Sequence, residues 1–355
     1  MSHPPSSRPP KVDIPSASRP SEAEVPLRVP PKADIALVGV GRWGTQLARN
    51  TEALGRLALI VDTDPQALAA AHKRWPHIPT ASSLDACLAQ ERIRAVLLAT
   101  PTPLHYPMAR AVLEAGRHVL VEKPMTLTRD HAQTLVQLAD DHARVLGVGH
   151  QLEHHPTFVQ LAALVRHGDL GHLHHIAADR TTLGRPQEAH SALWDLAAHD
   201  VGMAITLMGE LPHQVSATHG TWPNSDRTVE ATLALTFSAH RRAVLRVSWL
   251  HPIKTQRLIA VGTQATAVFD DVAPSSHKLL LHRHTPGQDP PAPPQPLTHT
   301  WHEPLRAACQ AFIEAIDASP VASLTTDASY GLAVVTILDA AERSAAMGGT
   351  AIAVG

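Results

Sequence analysis

The feature that most constrains this chain is a glycine-rich turn between a predicted strand and a predicted helix. Gly39-Val-Gly41-Arg-Trp-Gly44 follows an apolar run at residues 34–38 and leads into a helical pattern at residues 45–54. In such a turn the first glycine permits a tight bend, the second lets the backbone approach a pyrophosphate, and the third lets helix and strand pack closely. We therefore predict a βαβ unit that binds a dinucleotide, with the pyrophosphate at the helix N-terminus, where free N–H groups and the helix dipole favour anions.

An acidic residue at the end of the next predicted strand indicates which dinucleotide is bound. Asp62 follows Gly41 by 21 positions, directly after the strand at residues 57–61. Such a carboxylate accepts hydrogen bonds from the two ribose hydroxyls and repels a 2′-phosphate. Because no arginine follows at once, the sequence predicts NAD rather than NADP. We assign Arg42 and Trp43, which lie inside the turn, to the same cofactor site.

The periodicity of the apolar residues divides the chain into two halves. Up to residue 150, continuous apolar strands alternate with helices, which is typical of a doubly wound parallel sheet covered on both faces. After residue 150 the period falls to two, and successive short strands predict an antiparallel sheet. The fold class is therefore α/β, with an N-terminal Rossmann domain followed by a C-terminal α+β domain. The predicted strands of the second half are 228–237, 242–249, 257–261 and 265–269, and a long helix is predicted at 191–208.

Residues 1–31 differ in composition from the rest of the chain. They contain nine prolines and no periodic apolar pattern. Such a segment cannot bury enough surface to offset the entropy of ordering it, so we predict a disordered Pro-rich arm. The remaining boundaries follow from the change in periodicity: an NAD-binding Rossmann domain at 32–150 and a substrate-binding α+β domain at 151–355.

Charge and cysteine content exclude several classes of protein. A net charge of −2 offers no general basic surface for nucleic acid. No apolar run approaches the ~20 residues of a membrane-spanning helix. The two cysteines, Cys87 and Cys309, cannot form a disulfide framework, and the N-terminus has no apolar signal core. We therefore expect a soluble cytoplasmic protein with neither a nucleic acid nor a membrane as its partner.

The 25 histidines suggest a metal site, but their arrangement does not support one. Two clusters lie at residues 150–155 and 172–175, and neither has a cysteine nearby. Structural zinc requires four nitrogen or sulfur ligands at suitable spacing. We therefore expect no bound metal.

Two further segments carry side chains suited to oxidising an alcohol. Lys123 follows the strand at 118–121, at the sheet edge where open α/β sheets bind ligands, and a lysine there stabilises a developing alkoxide. Asp195 and His199 lie four residues apart on a predicted helix and so share one face. The carboxylate is expected to hold the imidazole tautomer and to raise its basicity, which suits a general base. The alternative is that these are ordinary surface polar residues.

Four motifs occur together in this chain: the glycine turn, Ala99-Thr-Pro101 with His105, Glu122-Lys-Pro124, and Asp195-x3-His199-Asp200. With these motifs the sequence resembles the glucose–fructose oxidoreductase/inositol dehydrogenase/MocA (Gfo/Idh/MocA) family from residue 33 to its end. The resemblance implies a second domain whose open antiparallel sheet forms an oligomer interface. We therefore expect a homo-oligomer, either a dimer or a tetramer.

The same resemblance implies roles for individual residues. Lys123 and His199 are the expected catalytic pair, and Asp195 supports His199. The expected cofactor contacts, in addition to the glycine turn and Asp62, are Thr100, Pro101, His105 and Glu122.

Three segments also resemble the branch of the family that acts on UDP-activated N-acetyl sugars: residues 180–184, 192–200 and 247–257 leading to 268–271. The likeness implies oxidation of the sugar 3-hydroxyl, amination of the product by an aminotransferase, and a setting in lipid A or surface-polysaccharide synthesis. The substrate-site residues assigned with it are Arg180, Trp194, Lys254 and Arg257, together with Lys123, Asp195 and His199.

Lys254 and Arg257 have a physical rationale, because these cations lie near Trp249 in the sequence. Cations there can meet a diphosphate, and an aromatic ring can meet a sugar or base face. The alternative is that both are charged residues that keep an edge strand soluble.

Three functions follow from these features. The first is an NAD-dependent dehydrogenase that oxidises the 3-hydroxyl of a UDP-N-acetylhexosamine. The second has the same chemistry with a free sugar, inositol or another polyol as substrate. The third is an NAD-binding sensor without turnover, against which the presence of Lys123, Asp195 and His199 argues.

Overall fold

Two β-sheets organise the computed structural model of this protein. Both belong to one compact unit spanning residues 32–355. The predicted arm at 1–31 lies outside the described residues, and the domain boundary at residue 150 stays a prediction. The structure describes residues 33–184, 191–222, 227–284, 293–318 and 324–354.

The first sheet contains six parallel strands in the order β3-β2-β1-β4-β5-β6. Every residue of its strands other than β3 is buried, because helices cover both faces, and this is why the sequences are continuous apolar runs. The strand order reverses between β1 and β4, so their carboxyl ends border the crevice where doubly wound sheets bind ligands. The strands are β1 (Ile35–Val38), β2 (Leu57–Val61), β3 (Thr80–Ala81), β4 (Ala95–Leu98), β5 (His118–Val121) and β6 (Leu146–Val148).

Side-chain caps start three of the helices around this sheet. Asp64, Ser83 and Thr128 each accept a hydrogen bond from a backbone N–H in the first turn of the helix that follows. The helix after the glycine turn begins instead at Gly41, and no described side chain caps it. Its N-terminus is therefore open toward the crevice. The helices are α1 (Arg42–Ala53), α2 (Pro65–Arg74), α3 (Leu84–Leu88), α4 (His105–Glu114) and α5 (Arg129–Asp141).

The second sheet has nine strands in the order β14-β13-β12-β11-β7-β10-β9-β8-β15. Its neighbours are antiparallel except for β7 and β10, which are parallel, so the predicted antiparallel sheet is in fact mixed. The predicted fold class is confirmed. The strands are β7 (Leu173–Leu183), β8 (Gln214–Thr221), β9 (Thr228–Thr236), β10 (Arg242–Ser248), β11 (Leu250–Gly262), β12 (Ala265–Asp270), β13 (Leu279–Arg283), β14 (Gln295–Pro296) and β15 (Ile352–Ala353).

The helices of the second half divide between the two sheets. α6 (Pro156–His167), α7 (Ala198–Met208) and α9 (Ala328–Ala346) pack into the core of the nine-stranded sheet. α8 (Pro304–Asp317) instead packs its apolar face against the parallel sheet. The single helix predicted at 191–208 is in fact a π-helical turn, Leu193–Ala197, that runs into α7.

In the described part of the chain, no helix is long and apolar enough to cross a membrane.

Candidate active site

A cavity of about 570 Å³ opens where the carboxyl ends of the parallel strands meet α7. Its volume is in the range of pockets that enclose small ligands. Both halves of the chain contribute to it. The lining residues are Arg42, Trp43, Ala99, Thr100, Pro101, Thr102, His105, Glu122, Lys123, Gly149, Gln151, Asp195 and His199.

The three glycines of the turn differ in how much space surrounds them. Gly39 has a φ of +88°, and a Cβ there would lie 2.8 Å from the carbonyl oxygen of Ala99. A Cβ at Gly44 would lie 1.9 Å from the carbonyl oxygen of Gly39, so the close packing of α1 on β1 requires glycine. A Cβ at Gly41, in contrast, would meet no protein atom within 4 Å. The fold itself therefore does not require glycine at position 41, and the open space there fits a ligand that approaches the backbone.

Asp62 is held beside this space by two backbone hydrogen bonds. The N–H of Val40 donates to Oδ2 at 2.8 Å, and the N–H of Asp64 donates to Oδ1 at 3.0 Å. Each carboxylate oxygen can accept a second hydrogen bond, and the side chain is only half-buried. The open helix N-terminus, the space at Gly41 and this carboxylate together fit the pyrophosphate and ribose of a dinucleotide.

His105 connects the loops that follow β4 and β5. Its Nε2 lies 2.9 Å from the carbonyl oxygen of Thr100, and its Nδ1 lies 2.8 Å from that of Pro124. The ring is buried except where it lines the cavity. The residue predicted as a cofactor contact therefore also holds the loop of Thr100 and Pro101 against the loop of Lys123.

Glu122 ties β5 to the glycine turn. It accepts a hydrogen bond from Nε1 of Trp43. A Cβ at Gly149 would lie 2.8 Å from its carboxylate carbon, so the glycine after β6 makes room for this side chain. Burial raises the pKa of Glu122 to about 7, although the Trp43 hydrogen bond and the charge of Lys123 oppose the shift. The two residues predicted to contact the cofactor thus also contact each other.

Lys123 and Asp195 join the two halves of the site. The Lys123 ammonium donates to Oδ1 of Asp195 at 3.0 Å and to its backbone oxygen at 2.7 Å. Nε1 of Trp249 donates to Oδ2 of Asp195 at 3.3 Å. Asp195 lies in the π-helical turn, which is a common feature of functional sites. The lysine is thereby fixed at the cavity wall rather than extended into solvent.

His199 lines the cavity, but its basicity differs from the sequence prediction. Burial lowers the pKa of His199 well below its ordinary value, and the charges of Lys123 and Arg180 lower it further. The carboxylate of Asp195 raises it, as predicted, but this effect is the smallest. The prediction of raised basicity is therefore wrong, because desolvation outweighs one neighbouring carboxylate. His199 is a neutral imidazole at pH 7 and is able to accept a proton.

Two of the predicted substrate residues are buried behind the cavity. The guanidinium of Arg180 forms a two-point ion pair with Asp200, from Nε to Oδ2 at 2.9 Å and from Nη2 to Oδ1 at 2.8 Å. Trp194 is only 3% exposed. Neither belongs to the described lining. Arg180 instead anchors the start of α7, next to His199.

Lys254, Arg257 and the nearby Trp249 lie outside the described lining of the cavity. Trp249 is 2% exposed and lies behind Asp195. Lys254 is exposed on β11 and makes no ion pair with any residue that the structure describes. Arg257 pairs with Asp270 at 2.8 Å.

The sequence interpretation did not include Gly149 and Gln151, which follow β6 and line the cavity. The rule that ligands bind at the carboxyl ends of parallel strands applies to β6 as well and would have indicated them. Within the described ranges, no group of three or more His, Cys, Asp or Glu side chains is arranged to hold a metal ion.

The sequence matches two known family descriptions. Residues 33–150 match "Oxidoreductase family, NAD-binding Rossmann fold", and residues 158–268 match "GFO/IDH/MocA C-terminal domain".

Three relatives illustrate the range of similar proteins. The uncharacterized oxidoreductase YdgJ of Escherichia coli K12 is 29% identical over 225 residues, covering 61% of this chain and 64% of YdgJ. The UDP-N-acetylglucosamine 3-dehydrogenase of Acidithiobacillus ferrooxidans is 31% identical over 205 residues, covering 57% of this chain and 62% of that enzyme. The myo-inositol dehydrogenase Hyg17 of Streptomyces leeuwenhoekii is 29% identical over 189 residues, covering 52% of this chain and 58% of Hyg17.

These sequence alignments span less than two thirds of the length of each relative. A solved structure of the Acidithiobacillus ferrooxidans enzyme superposes more completely. Its TM-score is 0.78 at 25% identity, covering 88% of this chain and 96% of that one.

Proposed function

This chain belongs to the Gfo/Idh/MocA family of oxidoreductases and has its NAD-binding Rossmann fold, and from that premise we propose that it oxidises the 3-hydroxyl of a UDP-N-acetylhexosamine to a ketone. The observation that carries the oxidation of an alcohol is the contact of Lys123 with Asp195 at 3.0 Å, in the same cavity as a neutral His199, whereas the choice of sugar rests on the likeness to relatives.

The side chains in the cavity are suited to three tasks. Lys123 donates a hydrogen bond to the substrate oxygen and stabilises the negative charge that develops there. His199 accepts the hydroxyl proton, and we assign this to Nε2 because Nδ1 is buried. Asp195 holds Lys123 in position, and Trp249 in turn donates a hydrogen bond to Asp195. NAD, when bound, would accept the hydride that leaves the carbon bearing the oxidised hydroxyl.

One observation supports the choice of NAD over NADP. Asp62 lies at the end of β2 with its carboxylate fixed at the turn, where it would repel a 2′-phosphate.

The UDP-sugar is supported by the likeness to the Acidithiobacillus ferrooxidans enzyme, in sequence and in fold. With such a substrate, the keto product is chemically suited to amination by an aminotransferase. We propose that reaction as the next step, and a cytoplasmic homo-oligomer as the working form.

A free polyol is the second candidate, and one observation favours it. The two cations that the sequence assigned to a diphosphate, Lys254 and Arg257, do not line the described cavity. A compact uncharged substrate such as inositol needs neither of them. The likeness to a myo-inositol dehydrogenase agrees with this alternative.

Single-turnover NADH formation distinguishes the candidates. The protein with NAD is mixed separately with UDP-N-acetylglucosamine, myo-inositol and glucose, and the same is done for His199→Ala. NADH formed from the UDP-sugar alone, and absent in His199→Ala, is the expected result. NADH formed only from myo-inositol or glucose would support the second candidate. No NADH from any substrate, despite NAD binding, would contradict both.

The double variant Lys254→Ala/Arg257→Ala tests the diphosphate contact separately. Loss of activity toward the UDP-sugar in this variant would support a diphosphate at the exposed part of β11. Unchanged activity would show that the cations near the cavity, Lys123 and Arg42, are sufficient for binding.

A further inference from the structure

One face of α7 leads from the proposed base, His199, to groups that the proposed reaction does not use. His199, Gly202 and Thr206 lie three and four residues apart and therefore on the same side of the helix. His199 faces the cavity, and Thr206 contacts Glu153, a buried carboxylate on the 3₁₀ turn that follows β6. This face therefore leads from the active site into the core.

The groups along this face are connected by two ring contacts and two hydrogen bonds. The ring of His150 lies edge-on to that of His199, with the ring centroids 6.1 Å apart. On its other side His150 lies edge-on to Tyr330 of α9, at 5.1 Å. The Tyr330 hydroxyl donates to Oε1 of Glu153 at 2.7 Å, and the Thr206 hydroxyl donates to Oε2 at 2.9 Å. No hydrogen bond joins the two imidazoles among the described residues, so proton transfer between them requires a bridging water molecule.

Gly202 makes room for this path. A Cβ at this position would lie 2.2 Å from the Tyr330 hydroxyl oxygen. Glycine inside a helix is less favourable than alanine. The tyrosine hydroxyl is therefore placed against α7 at a position where any other residue would displace it.

The path ends at a second cavity, near the C-terminal end of α7. This cavity has a volume of about 330 Å³ and is open to solvent. Tyr330 and Thr206 line it, together with Glu210. The polar groups therefore connect two openings, one beside His199 and one at the surface.

Each of the two imidazoles at the start of the path has one ring nitrogen without a hydrogen bond among the described residues. Nδ1 of His199 and Nδ1 of His150 are both buried, and neither has a hydrogen-bond partner among the described residues. Buried polar atoms are rarely left unpaired, and exceptions often mark catalytic groups.

We propose that His150, Tyr330 and Glu153 form a proton relay that carries the substrate proton from His199 to the second cavity. The relay rests on the proposed oxidation of an alcohol, but not on the identity of the sugar. In the balanced reaction the alcohol loses a hydride from carbon to NAD and a proton from oxygen to Nε2 of His199. The relay releases one proton from Nδ1 of His199 to solvent for each NADH formed.

The charges around the path favour this direction. Lys123 and Arg180 lie near His199 and, with burial, lower its pKa, while Lys123 also acts on His150. At the far end Glu153 offers a carboxylate whose pKa burial raises to about 7, with Tyr330 and Thr206 opposing the shift. The positive charges near His199 and the carboxylate of Glu153 at the other end of the path favour movement of the proton away from the substrate. Burial lowers the pKa of His150 to about 3, so this ring passes the proton on by accepting it at one nitrogen while releasing it at the other.

Glu153→Gln and Tyr330→Phe test the relay in the full-length protein with NAD and whichever alcohol wild type oxidises. Both variants keep the shape of the side chain but remove a proton-carrying group. We expect kcat to fall about tenfold with KM unchanged, less than the about 10²–10⁴-fold contribution of a general base itself. Wild-type kcat should rise with pH through about 7, where Glu153 becomes ionised, and this rise should be absent in Glu153→Gln. Added imidazole should restore part of the rate.

Glu210→Gln is the matched control. This carboxylate lines the same cavity but bonds Arg241 and Ser238 instead of the relay. Its kcat and pH profile should equal those of wild type. If Glu153→Gln and Tyr330→Phe are merely less stable and retain the wild-type pH profile, the relay is wrong.

An infrared titration of the NAD-free protein gives a readout independent of activity. The protonated carboxyl signal that titrates near pH 7 should lose the contribution of Glu153 in Glu153→Gln, leaving that of Glu122, and should shift in Tyr330→Phe. A signal near pH 7 that is the same in wild type and Glu153→Gln would overturn the relay. The two failures remain distinguishable: a wild type that forms no NADH overturns the proposed function, whereas an active wild type with unaltered variants overturns the relay alone.

Discussion

The parallel sheet presents its site residues at the ends of buried strands, whereas two of the three cationic site candidates on the nine-stranded sheet are paired with aspartates. Lys123 follows β5 directly and lines the cavity. Arg180 on β7 and Arg257 on β11, in contrast, are engaged by Asp200 and Asp270. An isolated motif was therefore a reliable guide in the first sheet, while a charge in the second could not be assigned to the substrate without knowing its partner.

The physical reason is whether a regular motif determines the contact, because the separations along the chain are similar: 22 residues between Val40 and Asp62, and 20 between Arg180 and Asp200. The glycine turn sets its own geometry within six residues, and Asp62 reaches it through adjacent strands β1 and β2. Arg180, however, meets a carboxylate on another element, 20 residues further along the chain. Pairs of matched variants test this difference between the two sheets.

The largest expected effect on stability is the loss of the buried ion pair. Arg180→Met leaves the Asp200 carboxylate buried without its partner, and we expect the free energy of unfolding to fall by about 3–5 kcal/mol. Arg257→Met is the matched control, because its side chain is 50% exposed, and it should cost only about 0–1 kcal/mol. Urea denaturation of both variants measures the difference. Equal losses would contradict the assignment of Arg180 to the structure rather than to the substrate.

An intermediate effect is expected from the glycines of the turn. Gly44→Ala places a Cβ against the backbone of Gly39, so we expect a loss of about 1–3 kcal/mol from overpacking. Gly41→Ala meets no protein atom and has an ordinary φ of −63°. It should retain full stability while weakening NAD binding, which calorimetric titration measures. A Gly41→Ala protein with wild-type NAD affinity would show that the cofactor does not use this space.

A further effect, which develops only at acidic pH, concerns the pH dependence of the first sheet. Burial lowers the pKa of His118 to about 4, with Arg144 and Arg94 adding to the shift, and its Nδ1 accepts the N–H of Val145. The unfolded chain therefore binds a proton, between the ordinary value of about 6.5 and pH 4, that the folded protein does not. Stability should fall as the pH drops through this window.

The contribution of His118 is measured by urea midpoints at several pH values. His118→Asn should show a weaker fall in the midpoint than wild type, because the group that takes up the proton on unfolding is gone. His219→Asn, at an exposed position on β8, should show the same fall as wild type. Identical slopes for wild type and both variants would rule out a contribution from His118.

Much of the fold was predictable from periodicity, and the exceptions have local causes. The buried strands β1, β2, β4 and β5 are apolar throughout and were easily recognised. β7 and β8 contain few apolar residues, so their sequences did not indicate full-length strands. The parallel pairing of β7 with β10 depends on a crossover between distant segments, which periodicity does not report.

The site divides in the same way. The cofactor turn, Lys123 and His199 were predicted and line one cavity. Burial set against neighbouring charge determines the pKa of His199, and burial is a property of the packed fold that an i, i+4 spacing does not contain. Likewise, the hydrogen bond from Trp249 to Asp195 joins residues 54 positions apart, and the sequence does not indicate it.

The central claim is that the cavity between the two sheets, and not the exposed cations of the second sheet, performs the chemistry. The most direct test compares Lys123→Met with Lys254→Met by measuring kcat and NAD affinity. Lys123→Met should lower kcat by about 10²–10³-fold, as the loss of one oxyanion donor does, with NAD affinity unchanged. Lys254→Met should leave both unchanged. A fully active Lys123→Met, or a loss of kcat in Lys254→Met alone, would contradict the account.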